Sequence, residues 1–360
     1  MGDPPAGWHT VLEAAAWVIV ESSPTHNRLS VIAGWGGGGK YHHTEAVETA
    51  TRVRIEVLTQ NLVPSDSTVK DVRATQLRFA AIEIYNPVMP NETQSPAVVD
   101  TARRMIRELR RGREALAPRV EAFTDDDLAR QSACSEWDVS QVLSHLGSGA
   151  EIMIGTLNAM LAGDDPPGQE ASEAIWARWN AMTRAERAAA WLEMTERHLA
   201  GLEALSDEQL RDISVPVPFS PAPLDAAAFV SLRLSEQALH HWDVEVTFDD
   251  AAVIPESAAE LVVGRIGWMM MRLGKADRWA GEATQIALTL TAPSREWTLS
   301  IADAVALDEA AAADAGARLT LPSETFIRLV SGRLRDADSA RIDVEGPLRL
   351  DDVVVLFPGY

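Results

Sequence analysis

The sequence predicts a multidomain, mainly α-helical protein: a four-helix bundle over residues 101–280, a small α+β domain over 281–360, and an atypical α/β extension over 1–100 ahead of both. Three observations carry that reading. Through the middle of the chain apolar residues recur at three- and four-residue spacing, the period of a helix with one buried face. Beyond about residue 281 the period drops to two in "QIALTLTA", "EWTLSIA", "ARLTLP" and "ARIDVEG", the alternation of half-buried strands. The Pro-rich stretch "NPVMPNETQSP" reads as a linker that closes the first zone.

The elements follow in order. In the first zone "RLSVIAGW" and "QLRFAAIEIY" read as strands and "EAVETATRVRIEVLTQ" as a helix. The glycine-rich "GWGGGGKYHH" could cradle a phosphate, but it lacks both the Walker spacing and the GxGxxG order, so a flexible loop with solvated His42 and His43 is the better reading. Helices are expected near 101–119, 138–162, 170–203, 225–247 and 255–274. The second begins with Asp138 and Gln141 in a capping-box pattern, with Trp137 placed as a staple residue. Val139, Val142, Leu143, Leu146, Ala150, Met153 and Leu157 form its apolar stripe. Long antiparallel helices of this kind pack as a bundle. At the end of the chain "SETFIRLVSGR" and "LRLDDVVVLF" read as helices, and the low-complexity "ALDEAAAADAGA" as a turn or surface helix.

Composition narrows the function. With 46% hydrophobic and 24% charged residues among 360, the chain can bury a large core and reads as soluble. Its net charge of -21 repels nucleic acid and anionic membrane surfaces, so neither is an expected partner. The basic run "RRMIRELRRGR" is interrupted by Ile106 and Leu109 and reads as the polar face of a helix. A single cysteine, Cys134, excludes an internal disulfide and any zinc site needing several thiolates, and fits a reducing, cytoplasmic setting. The run "VLEAAAWVIV" contains Glu13 and has no basic leader, so neither a secretory signal nor a membrane span is expected.

The chemistry is concentrated in "SEQALHHWDVEV". Glu236 and His240 are four apart and stack on one helix face, a spacing that suits a shared metal ion. An exposed pair on a solvated face is the alternative. A catalytic zinc site commonly uses two histidines and a glutamate and leaves one position open. The third candidate is His145, at the border of the apolar stripe, where an ordinary hydrogen-bonded core histidine is the competing reading. Gly147, Ser148 and Gly149 follow it and weaken the helix, either to make room for a ligand or to let helices pack closely.

"CSEWDVSQVLSHL" followed about ninety residues later by "RLSEQALHHWDVEV" resembles the mycothiol-dependent maleylpyruvate isomerase family, within the broader DinB-like metal-binding bundles. The resemblance spans roughly residues 101–356 and includes a C-terminal domain similar to the sterol-carrier-protein-like one. It implies His145, Glu236 and His240 as ligands of Zn2+ or another divalent metal, with His241 adjacent and an alternative ligand. It implies that Trp242 packs, that Asp243 either holds a ligand's free ring nitrogen or caps locally, and that Arg333, ending "IRLVSGR", is a catalytic group binding an anionic substrate.

The same resemblance implies that the open position takes the thiol of mycothiol as cofactor. The thiolate adds to a conjugated cis double bond of a small electrophile, the resulting single bond rotates, and elimination returns the trans isomer. Cys134, with no basic neighbour in the sequence, is not expected to replace that thiol. Thiol transfer or hydrolysis would use the same ligands, and a non-catalytic metal-binding protein is the alternative if His241 closes the fourth position. The first hundred residues depart from the family pattern, as a fusion or through an upstream start would explain.

Overall fold

The computed structural model describes residues 96–217, 222–311 and 315–359, together with the backbone of strand segments between residues 9 and 84. The chain divides into two compact units, Met1–Asn91 and Glu92–Tyr360.

In the first unit β1 (His9–Thr10), β2 (Ala16–Ser23), β3 (Arg28–Trp35) and β4 (His42–Val47) form an antiparallel meander, and β5 (Val53–Ile55) pairs with β6 (Ile82–Ile84). The expected strand "RLSVIAGW" is β3 itself. The helix expected over "EAVETATRVRIEVLTQ" is corrected where its backbone is described: residues 45–47 lie in β4 and 53–55 form β5, as the β-branched Val47, Val53 and Ile55 favour. The rest of that stretch, and the glycine run of "GWGGGGKYHH", lie outside the described residues.

The second unit begins with α1 (Pro96–Ala122) and the short α2 (Asp125–Leu128), followed by α3 (Val139–Ala162), α4 (Gln169–Asn180) and α5 (Arg184–Glu203). Next come α6 (Asp207–Asp212), α7 (Ala226–Glu245), α8 (Glu256–Val263) and α9 (Ile266–Leu273). The long helices α1, α3, α5 and α7 pack together as the bundle. Two expected helices are each broken in two. The 170–203 helix stops before Thr183, whose side chain caps the Glu186 amide while Glu186 reaches back to the Thr183 amide, starting α5 afresh. The 255–274 helix breaks at Gly264 and Arg265, where glycine weakens helical propensity.

The chain ends in a five-stranded sheet of order β11-β10-β7-β8-β9, made of β7 (Thr284–Leu290), β8 (Arg295–Ile301), β9 (Val305–Asp308), β10 (Ala317–Leu321) and β11 (Asp343–Glu345). Only the β10–β7 pair is parallel. In sequence α10 (Ser323–Val330) lies between β10 and β11, and α11 (Leu350–Val354) follows β11. "ALDEAAAADAGA" begins as β9 rather than as a turn or helix, and residues 312–314 within it lie outside the described residues.

One apolar core runs from the bundle into the sheet, through Leu234 and Trp242 of α7, Met270 of α9, Leu288 and Leu299 of the sheet, and Phe326 of α10. A second cluster joins the C-terminal part of α1 to Val142, Leu143 and Leu146 of α3 and Trp191 of α5. These two cores fix α3 against α7 and seat the segment after α10 beside the end of α7. Arg328 of α10 strengthens that seat: it bonds Glu324 and Asp338 and lies 4.7 Å above the Trp242 ring.

Candidate metal centre

Helix α3 starts as its sequence promises. The Asp138 carboxylate accepts from the Gln141 amide at 2.8 Å, and the Gln141 side chain accepts from the Asp138 amide at 2.9 Å. Counting from that fixed start, His145 emerges toward α7, where Glu236 and His240 stand one turn apart. His145 Nε2 lies 2.9 Å from Glu236 Oε2, and His240 Nε2 lies 3.5 Å from the same oxygen. One donor atom from each of the three residues falls within 4.8 Å of the other two.

The side chains of His145 and Glu236 are 38% and 47% exposed and that of His240 only 9%, so the cluster is open at its mouth and buried at its root. The Trp137 ring covers one side, 5.0 Å from the His145 ring and 5.8 Å from that of His240. A residue expected to be a helix staple is therefore also a wall of the site.

The other nitrogen of His240 faces a second group. Asp243, fully buried, accepts from His240 Nδ1 at 2.8 Å. Arg333 grips both Asp243 oxygens, from Nε to Oδ1 and from Nη2 to Oδ2, each at 2.9 Å. The Cys134 thiol donates to Asp243 Oδ2 at 3.0 Å, and its sulfur lies 3.7 Å from His240 Nδ1 and 3.6 Å from Arg333 Nη2. The expectation that Cys134 has no basic neighbour is thereby corrected. Its loop is folded back onto the end of α7, with the Gln131 amide bonding the Cys134 and Trp137 carbonyls and the Ala133 amide bonding Asp243 O.

The electrostatics divide along the same line. Burial opposes the Glu236 charge, yet hydrogen bonds and positive charge from His145 and His240 hold its carboxyl far below the usual carboxylate range. Burial likewise disfavours the His240 cation, but hydrogen bonds to Asp243, Cys134 and Glu236 outweigh it and raise its pKa to about 10. In the metal-free protein, a proton on His240 thus fills the place of a cation between two carboxylates.

The trio fits a divalent metal: two imidazole nitrogens and an ionised carboxylate converge, and the rear nitrogen of His240 is held by a carboxylate, as metal-ligating histidines are. Cys134, His240 and Asp243 also converge, but the Arg333 guanidinium already occupies the neighbourhood of Asp243 and would repel a second cation.

His241 joins neither cluster. It lies edge-on to Trp191 at 5.9 Å with its Nε2 sealed and unpartnered, and burial and the nearby charges of Arg233 and His240 push its pKa down to about 3. Trp242 packs as expected and donates to the Ala252 carbonyl at 2.9 Å. The glycines after His145 divide: a Cβ at Gly147 would run into the Trp179 ring, whereas one at Gly149 would meet only Arg233 Nη1, at 3.4 Å.

Fold and trio together define a DinB-like helical bundle with a candidate metal centre, followed by a small α+β domain. Residues 109–245 match the family described as "Mycothiol maleylpyruvate isomerase N-terminal domain". Two solved structures are similar, "Crystal structure of the mycothiol-dependent maleylpyruvate isomerase" and that of a point mutant of the same enzyme. Each is 14% identical, covers 72% of this chain and 97% of its own, and superposes with a TM-score of 0.50, a likeness that shows the fold. No curated protein sequence matches the chain. No helix among the described residues is long and apolar enough to cross a membrane.

Proposed function

We propose that the protein is a metal-dependent, mycothiol-using enzyme that acts on a small electrophile, by cis-trans isomerisation or by thiol transfer, with His145, Glu236 and His240 holding the metal. The convergence of those three side chains at the open end of α3 and α7 is the observation that carries this reading. A divalent ion such as Zn2+ held there would supply a low thiol pKa, and hence a thiolate nucleophile, at its remaining position.

The chain's own residues do the rest. Asp243 fixes the His240 ring so that Nε2 faces the trio. The Arg333 fork is bonded to Asp243, and to this residue, expected from the sequence to bind substrate, we assign a positioning role through that carboxylate. Trp137 screens one side from water. Cys134 lies on the Nδ1 side of His240, away from the trio, so the reacting thiol is a separate small molecule. The partners are accordingly a small electrophile and a low-molecular-weight thiol.

Elemental analysis of the purified chain tests this directly. About one metal per chain is expected, with the His240→Ala variant losing it and the visible spectrum of the cobalt-loaded protein changing on mycothiol addition. Absence of stoichiometric metal would make the trio a set of polar packing residues and end the proposal.

A further inference from the structure

The buried arginines of this unit differ in one respect. Arg328 and Arg333 are bonded to carboxylates. Arg233, on α7 and only 4% exposed, makes no hydrogen bond and no ion pair among the described residues. A guanidinium this buried with no protein partner is costly, because its N–H groups give up most of their water and the protein supplies no acceptor in return.

Its position gives that cost a reason. Helices α3 and α7 are antiparallel at the site, with His145 bonded to Glu236. The step forward from His145 to Gly149 and the step back from Glu236 to Arg233 are each about one helical turn, so they reach the same neighbouring layer. The guanidinium lies there: Nη1 is 3.4 Å from the point where a Gly149 side chain would begin. Any larger residue at position 149 would compete for this space.

The groups facing Arg233 leave its charge uncompensated. Nε2 of His198 on α5 and Nε2 of His241 on α7 are both buried without a hydrogen-bond partner, and neither imidazole offers Arg233 an anion. Glu236 is the acid whose field reaches Arg233, and its carboxylate is committed to His145 and His240. Once that carboxylate also serves a dication, the layer carries net positive charge beside an open mouth.

We propose that Arg233 is the anchor for an oxyanion of the substrate, a carboxylate or a group of its planar shape, bound next to the His145, Glu236 and His240 trio. It is a substrate-binding residue whose planar fork matches the charge and shape of that group. The inference rests on the proposed function for calling the ligand a substrate. The anion site itself does not require the metal.

The test is calorimetric titration of the full-length chain, metal-loaded and metal-free, with succinate and with neutral succinamide as control, alongside measured metal content and Tm. Succinate is expected to bind the native chain and succinamide not to. Arg233→Met should weaken succinate at least about tenfold at unchanged metal content, and Arg233→Lys should retain part of the binding. Without ligand, Arg233→Met should melt no lower than the native chain, because the charge removed had no partner.

Succinate binding that is absent from the native chain, or indifferent to Arg233→Met, overturns the proposal. So does a Tm loss of several degrees in Arg233→Met with succinate binding retained, which would make the arginine structural. Metal content reports the underlying reading separately. Metal without Arg233-dependent succinate binding leaves the metal centre standing and removes the anchor, and Arg233-dependent binding without metal does the reverse.

Discussion

The two nitrogens of His240 look onto two different environments. On the Nε2 side stand His145 and Glu236, half-exposed, with donor atoms that converge within 4.8 Å. On the Nδ1 side stand Asp243, Arg333 and Cys134, where a carboxylate and a guanidinium satisfy one another out of water. The residue types on both sides can bind metals, yet the closed side already holds a permanent cation, Arg333, whereas the open side holds at most a displaceable proton. Donor atoms alone do not make a metal site, since the cation already present decides whether another is welcome.

The largest expected effect breaks the open side. His145→Ala should abolish stoichiometric metal binding, because two protein ligands rarely hold zinc at useful concentrations. Elemental analysis after dialysis reads it out, and metal retained at about one per chain would remove His145 from the ligand set.

The next effect sharpens the comparison through pH. The His240 pKa is raised in the metal-free fold, so its imidazolium contributes stability below the unfolded value near 6.5, and that contribution is lost as pH climbs through about 10. A metal must expel that proton. Affinity should therefore rise about tenfold per pH unit between about pH 7 and 9, with roughly one proton released per metal. Calorimetry in buffers of different ionisation heat counts the proton, and an affinity flat above about pH 7 would show that His240 is not proton-filled.

Asp243→Asn comes third. It keeps the shape but removes the charge that orients His240 and holds Arg333, and should weaken metal binding by about 10- to 100-fold without abolishing it. Competition with a chelator measures the change. Loss as complete as in His145→Ala would make Asp243 a ligand in its own right.

These sides were unequally legible in the sequence. The open side is local: Asp138 and Gln141 fix where α3 begins, the apolar stripe fixes how it faces, and the four-residue step from Glu236 to His240 is a helical turn. The buried side is tertiary. Arg333 meets Asp243 across 90 residues and Cys134 across 199, and no periodicity reports how the segment after α10 docks on the end of α7. Arg233 was hidden for a related reason. A buried arginine is ordinary in a sequence, and only packing shows that it has no partner. The breaks at Thr183 and Gly264, by contrast, had a capping box and a helix-weakening glycine in plain sight, outvoted by the apolar period on either side.

The smallest predicted effect is the most discriminating. Cys134→Ser replaces the sulfur with a hydroxyl that can still donate to Asp243, so the closed side keeps its hydrogen bond and its charge. If the metal belongs to the trio, its affinity should change less than about threefold, since a neutral hydrogen bond two groups removed from the ion is exchanged for a similar one. If instead the cysteine, His240 and Asp243 held the metal, the same substitution would exchange a thiolate for a far weaker hydroxyl ligand. Zinc affinity would then fall by orders of magnitude, and a cobalt-loaded protein would lose its sulfur-to-metal absorption band. A change of one atom thus separates the two faces of a single histidine, and it does so without disturbing the proton, the arginine or the open mouth on which the rest of the comparison depends.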